Sequence, residues 1–309
     1  MSDSLDQPSH NANVLAAAGI LCVRNYEDAA AAIGQLDATG RFASAGLREL
    51  LVLRCIATPG RATHTGMIAQ VRADGEGDDA LGEYAIALRA GAARARGGAL
   101  PSVGSLHELL RLPHPDWQTS AIDELLRDAH ERTPPVLKAA LAALALRDAT
   151  AGEPDGPKTA QLFALAVTLV LCVGGAITDA WLTLPHVNTR AEPSLRETFT
   201  LLAREARGAQ RGLLAAQELV ASDKERVRAA LGRAAYSALD VLELLHQKIV
   251  VTIPDAARAL GQTPPTTGAA IARLMELGIA REVTGKARSR AFAYEGIVRA
   301  LEPESTGRP

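Results

Sequence analysis

The stretch PPVLKAALAALALRDATAGEPDGPKTAQLFALAVTLVLCV, residues 134–173, decides the fold of this chain. Its first part places Val136, Leu137, Ala140, Leu141 and Leu144 at helical spacing and leaves Lys138 on the other face, which predicts an amphipathic helix. The pattern breaks at Ala149. From there to Lys158 two glycines and two prolines interrupt any regular helix, so a loop is required. From Thr159 a second helix is predicted, apolar on all sides between Leu162 and Val173 and stopped by Gly174-Gly175. About a dozen apolar residues are too few to span a bilayer, so the segment reads as a buried core helix with no membrane role.

A loop that feeds the N-terminus of a buried helix is a cradle for an anion, because unpaired backbone N–H groups and the helix dipole both face whatever sits there. In that arrangement the stretch resembles the Fic family, whose HPFxDGNGRxGR motif holds the phosphates of a nucleotide. Aligned without gaps, Thr150 falls at the family's catalytic His, Pro154 at its acidic metal ligand, Gly156 at the Asn, Lys158 at the first Arg and Gln161 at the second. The preceding run from Pro135 to Ala142 resembles the family's helix before the motif. In the family the His takes a proton from the attacking hydroxyl, and a threonine cannot do so near neutral pH. Loss of the acidic residue removes the ligand for the magnesium that would neutralise developing phosphate charge. Sliding the frame by one residue brings Asp155-Gly156 onto the family's Asp-Gly but puts Ala151 at the His, so neither frame supplies a base. The resemblance therefore implies a helical fold without a catalytic residue, a metal or a cofactor, in which Gly156 and Lys158 are the remnant of a phosphate site.

Composition bounds the rest. With 309 residues, 48% hydrophobic and only 3% aromatic, the chain suits two or three small domains with Ala/Leu cores. A net charge of -2 argues against coating nucleic acid by bulk electrostatics. Cys22, Cys55 and Cys172 have no CxxC spacing and read as small buried residues of a cytoplasmic protein. Residues 1–13 are polar, lack an apolar signal core, and are expected to form a disordered tail.

Residues 14–112 read as an N-terminal helical region. Ala29, Ala30, Ile33 and Leu36 form one apolar stripe, Leu47, Leu50, Leu51 and Leu53 the next, and Asp37 to Gly46 a turn between them. The region resembles the helices that precede many Fic domains and carry an inhibitory Glu. Arg54 to Thr63 is the matching stretch, and no Glu occurs between Glu49 and Glu76, so the resemblance implies that inhibitor and activity were lost together. Asp74 to Asp79 alternates oxygen ligands like a calcium loop, but a solvated loop with Asp78 or Asp79 capping the helix of Leu81, Ala85 and Leu88 is the preferred reading. His10, His64, His107, His114, His130 and His186 are isolated, with no i, i+4 pair to hold a metal.

Residues 113–248 form the helical core. A rigid connector from Pro113 to Trp117 leads to a helix from Ser120 to Arg132 and the central stretch, and a Pro-containing crossover spans Trp181 to Pro193. Two long helices are predicted next, Ser194 to about Ala221 and Asp223 to His246, the second opened by a capping box at Ser222-Asp223-Lys224-Glu225. They are expected to pack as an antiparallel pair. Arg204, Arg207 and Arg211 read as a solvated face.

Residues 249–309 read as a winged helix-turn-helix. Thr252 to Gly261 is a short helix ended by Gly, Thr263-Pro264-Pro265-Thr266 caps a second helix to Leu277-Gly278, and Ile279 to Tyr294 alternates about Thr284-Gly285 as a β-hairpin would. It resembles the C-terminal winged helix of many Fic proteins. The expected fold class is thus mainly α, a Fic-like helical bundle followed by a winged helix with a short hairpin wing.

On DNA, Thr266, Thr267 and Arg273 would be the base-reading groups of the second helix, beside Gly268, Ala269 and Ala272, while Lys286, Arg288 and Arg290 on the wing would meet phosphates. From Thr252 onward eight Lys/Arg stand against six Asp/Glu, a net of +2. Three readings are compatible with these residues. The first is a catalytically inactive Fic-like regulator that binds DNA, as a homodimer or with a partner protein. The second is a protein-interaction or assembly module. The third is an AMP-transferase with an atypical site.

Overall fold

The apolar helix at the centre of the sequence is buried as its composition demands. A computed structural model describes residues 22–54, 90–91, 93, 102–112, 115, 119, 122–123, 133–150, 157–178, 194–285 and 290–301. The fold is mainly helical, with a three-stranded antiparallel sheet near the C-terminus. The chain divides into two units, Met1–Ala38 with Tyr84–Gly208, and Thr39–Glu83 with Ala209–Pro309.

In the first unit, helix α1 (Val23–Gly40) contributes all but its last two residues, followed by α3 (Val103–Leu109), α4 (Pro135–Ala149), α5 (Pro157–Val173) and the start of α6 (Leu195–Leu231). Helix α2 (Ala45–Arg54) belongs to the second unit. Pro157 opens α5, two residues ahead of the predicted start, because a proline at the first helical position loses no intrahelical hydrogen bond. Every residue from Gln161 to Leu171 is buried. The helix ends in a Schellman turn, with Gly175 at φ +73°, its N–H donating to Cys172 O and the Ala176 N–H to Leu171 O. A Cβ on Gly174 would stand 2.6 Å from Pro135 Cβ, so the end of α5 presses on the start of α4 and only glycine fits.

Helix α4 departs from the expected amphipathic pattern. Val136, Leu137, Ala139, Ala140, Ala142, Ala143 and Leu146 are buried, and so is Lys138, at 4% exposure. Small alanines let neighbouring segments close around the helix on several sides, so no solvent face is left at Lys138. Elsewhere in this unit Tyr26 meets Phe199 edge to face at 5.7 Å. Buried Asp37 accepts both the Thr178 N–H (2.7 Å) and hydroxyl (2.9 Å). Arg207 forks onto the Asp28 carboxylate, and that hydrogen bonding holds Asp28 below its ordinary range. The expected Arg204, Arg207 and Arg211 face thus includes an ion pair at Arg207.

The second unit corrects the prediction of two long helices. Helix α6 runs without interruption through Ser222, and the chain breaks only at the 3₁₀ turn Gly232–Ala234, where Gly232 takes φ +51°, before α7 (Ala235–Lys248). The capping box forms instead at Ser194, whose hydroxyl accepts the Glu197 N–H (3.2 Å) while Glu197 accepts the Ser194 N–H (3.0 Å). Glu225 pairs with Arg228, and Asp223 is buried at 2% exposure. Its Oδ2 accepts the Tyr294 hydroxyl at 2.6 Å and its Oδ1 accepts Arg226, which also donates to Leu277 O at 2.7 Å. Tertiary partners therefore keep this segment inside the helix.

The winged helix-turn-helix follows as α7, β1 (Val250–Thr252), α8 (Ile253–Leu260), α9 (Pro264–Glu276), β2 (Ala280–Glu282) and β3 (Ala291–Tyr294), closed by α10 (Glu295–Ala300). Thr252 caps α8 through the Asp255 N–H, and Thr263 caps α9 through the Thr266 N–H. Gly261, at φ +63°, ends α8 as predicted. Strand order is β1-β3-β2, with Thr252 opposite Ala291 and Glu282 opposite Phe292. The wing strands are shorter than the alternation from Ile279 to Tyr294 suggests. Glu282 turns the chain away by accepting the N–H groups of Thr284 and Gly285, both at 2.9 Å, and these bonds lower its pKa behind the larger effect of the Thr284 hydroxyl.

Residues 1–13, 74–79 and 181–193, and the predicted Ser120–Arg132 helix apart from residues 122–123, lie outside the described residues.

The Asp223–Tyr294 bond yields a prediction. Tyr294→Phe leaves a buried carboxylate lone pair unfilled and is expected to lower unfolding free energy by about 1–3 kcal/mol. Urea denaturation measures it, and the cycle with Asp223→Leu should show that the double change costs less than the sum of the singles.

Candidate functional site

Two places were singled out by the sequence. At the central loop, Thr150 caps the C-terminus of α4, and its hydroxyl donates to Leu146 O at 2.9 Å. It is buried at 9% exposure. A hydroxyl committed to a helix carbonyl is a cap, and its chemistry is that of an alcohol with a pKa far above neutrality. Pro154 and Gly156 lie outside the described residues, and of Lys158 only the backbone is described, in the first turn of α5. Gln161 is 6% exposed. Among the described residues no group of three or more His, Cys, Asp or Glu side chains could hold a metal ion, and no helix is long and apolar enough to cross a membrane.

The winged helix brings together part of the expected DNA-facing set. Thr266 is exposed in the first turn of α9, its hydroxyl 2.9 Å from that of Thr263. Ala269 and Ala272 are exposed on the same helix and Gly268 is half-buried. Thr267 is a correction. Its side chain is fully buried, with its hydroxyl 3.5 Å from Gln262 Oε1, because one position along α9 rotates a residue by about 100° and carries it from the outer face into the α7–α9 packing. It cannot reach a base edge. Arg273 is half-buried near the end of α9 and donates from Nη1 to Ala234 O at 3.4 Å, a long bond that a stronger acceptor can displace.

On the wing, Arg290 is exposed and its guanidinium carbon stands 5.7 Å from the centre of the buried Phe292 ring. This cation–π contact braces the side chain at the start of β3, and its charge also acts on the Glu282 carboxylate, helping to lower that group's pKa. Lys286 and Arg288 lie outside the described residues. Among the described residues, the wing offers an exposed cation, Arg290, close enough to the Glu282 carboxylate to act on it, and α9 presents an outer face of mostly small residues. Such a surface can hold a phosphate backbone but has few groups to discriminate bases.

Sequence reasoning passed over Lys248 and Arg258, which flank a groove between α7, β1 and α8. They stand ten residues apart with no shared periodicity, so only the turn of chain through β1 brings them together. It also missed the state of Lys138. Burial pushes this ammonium down to about 8 from an ordinary value of 10.5. Between those values the unfolded chain binds more protons than the folded one, so stability rises with pH across that window. Lys138→Met is expected to abolish the rise in stability between about pH 8 and 10.5. Thermal or urea unfolding at a series of pH values checks this.

In comparisons with known proteins, no family model and no curated protein matches this chain.

Proposed function

We propose that this protein is a catalytically inactive, DNA-binding transcriptional regulator of the cytoplasm that grips the duplex backbone through its winged helix and reads sequence weakly. The observation that supports it is the winged helix-turn-helix itself, in which the outer side of α9 is left exposed beside a wing carrying Arg290. Poor base readout by one copy calls for a dimer on paired half-sites or a partner protein. The Fic resemblance fits as the origin of the helical part, its chemistry decayed. Thr150 used as a helix cap favours that view over an AMP-transferase with an atypical base.

A second reading, an assembly module, draws on the composition of the same helix. Its exposed residues include Pro264, Pro265, Ala269, Ala272 and Met275, the last 40% exposed, a surface better suited to protein than to phosphate.

Fluorescence anisotropy with duplexes from the flank of its own gene, at several salt concentrations, separates the two. Each of Lys286→Ala, Arg288→Ala and Arg290→Ala should weaken binding to every duplex and reduce the salt slope by about 1. Arg273→Ala should cost about 1–3 kcal/mol at a single base position, and Thr267→Val should change nothing. Unaltered binding in the triple wing variant, or no binding at low salt, would leave the assembly module as the reading. Incubation with labelled ATP and magnesium tests the absence of catalysis. No label is expected on the protein or on others, and labelling abolished by Lys158→Ala would restore the enzyme.

A further inference from the structure

The groove between α7, β1 and α8 has a volume of about 440 Å³, within the ordinary range of small-molecule sites. Its apolar lining includes Leu244, Val250, Val251 and Ala291, each 7% exposed or less. These come from two consecutive pieces of the winged helix, α7 and β1, and from the strand that pairs with β1. Among the described residues that line the groove, Lys248 and Arg258 are cations and Asp255 is a carboxylate, and Lys248 already interacts within the protein. Asp255 is already engaged on both oxygens, Oδ1 accepting Arg258 Nη1 at 2.9 Å and Oδ2 accepting the Thr252 hydroxyl at 2.7 Å. Arg258 is 78% exposed and commits a single N–H in that pair, so the rest of its donor fork is open to a second carboxylate.

We propose that this groove binds a small amphipathic carboxylate, its anionic head between Arg258 and Lys248 and its apolar body on the valine-rich floor. Charge and lining select this class together. A bare phosphate would use the cations but leave the floor wet, and a neutral hydrocarbon would gain nothing from the rim. The three-residue β1 is too short to recruit an extended peptide as a further strand. Resting on the regulator reading, an occupant that ties the end of α7 to α8 also fixes how α9 and the wing are presented, which makes it an effector of DNA binding.

Isothermal titration of the full chain with sodium octanoate, 1-octanol and inorganic phosphate tests the site without any DNA present, so its outcome is independent of whether DNA is bound. One saturable octanoate site is expected, with octanol at least about tenfold weaker, the scale of losing a charge-assisted hydrogen bond. Arg258→Ala and Lys248→Ala should each weaken octanoate about tenfold, and Ala259→Phe, an exposed position on the groove wall, should block it while an unchanged melting temperature reports intact folding. The proposal is overturned if octanoate does not saturate, if its affinity is the same in Arg258→Ala and Ala259→Phe, or if phosphate alone binds as tightly. If octanoate binds as expected yet leaves the affinity for DNA unchanged, the site stands and its regulatory role falls.

Discussion

A carboxylate withdrawn from water costs several kcal/mol unless its lone pairs are filled, and Asp223 is withdrawn almost completely. One partner comes from the far end of the winged helix and the other from the next turn of α6 itself. The Tyr294 hydroxyl reaches it from the last residue of β3, and Arg226, which neutralises it, extends to the carbonyl of Leu277 at the end of α9. Burial first, and then the hydrogen bond to Asp223, raise the Tyr294 pKa far above its ordinary value, so the phenol stays a donor at any physiological pH. The same Tyr294 sits opposite Ala280 in the wing ladder and donates its N–H to Ile249 O at 3.0 Å. One buried charge thereby sets the position of α6, the end of α9 and the register of the sheet. It also explains why α6 cannot stop at Ser222. A helix beginning there would displace Asp223 from the place where its charge is satisfied.

The first unit is held together on other terms. The α4–α5 hairpin relies on close backbone approach, permitted by alanines along α4 and by Gly174 against Pro135. Small residues at a helix contact give dense packing and little tolerance for added volume. Lys138 is the exception within that packing, a long cation buried at 4% exposure whose pKa is pushed down by that burial.

Among the described residues, the arginines of the winged helix are largely engaged within the protein. Arg281 and Arg299 both bind Glu295, Arg258 binds Asp255, and Arg273 rests on Ala234 O. A formal charge of +2 from Thr252 onward therefore overstates the field that a ligand would meet at contact distance. These pairs are mostly exposed, and exposed ion pairs contribute about 0–1 kcal/mol each. Exchange of a carboxylate for a phosphate or an external carboxylate is then a small step in free energy. The winged helix can hold its own shape with the cations that a ligand would later recruit.

Local chemistry carried much of the fold. The Gly/Pro break before α5, the threonine caps and terminal glycine of α8 and α9, and the alternation of the wing are all signals whose physics lies within a few residues, and the elements stand close to where those signals put them. The sequence also determined that the residue at the centre of the suspected site is Thr150, a group unable to serve as a base near neutrality. What it could not determine was which of two identical capping patterns forms. Ser194 and Ser222 both precede a Glu by three residues, and the choice falls to Ser194 because Asp223 is claimed by Tyr294, 71 positions away. Lys138 and Thr267 were misplaced for the same reason. Helical periodicity locates a residue on a face, but whether that face meets water or another helix depends on what the rest of the chain brings against it.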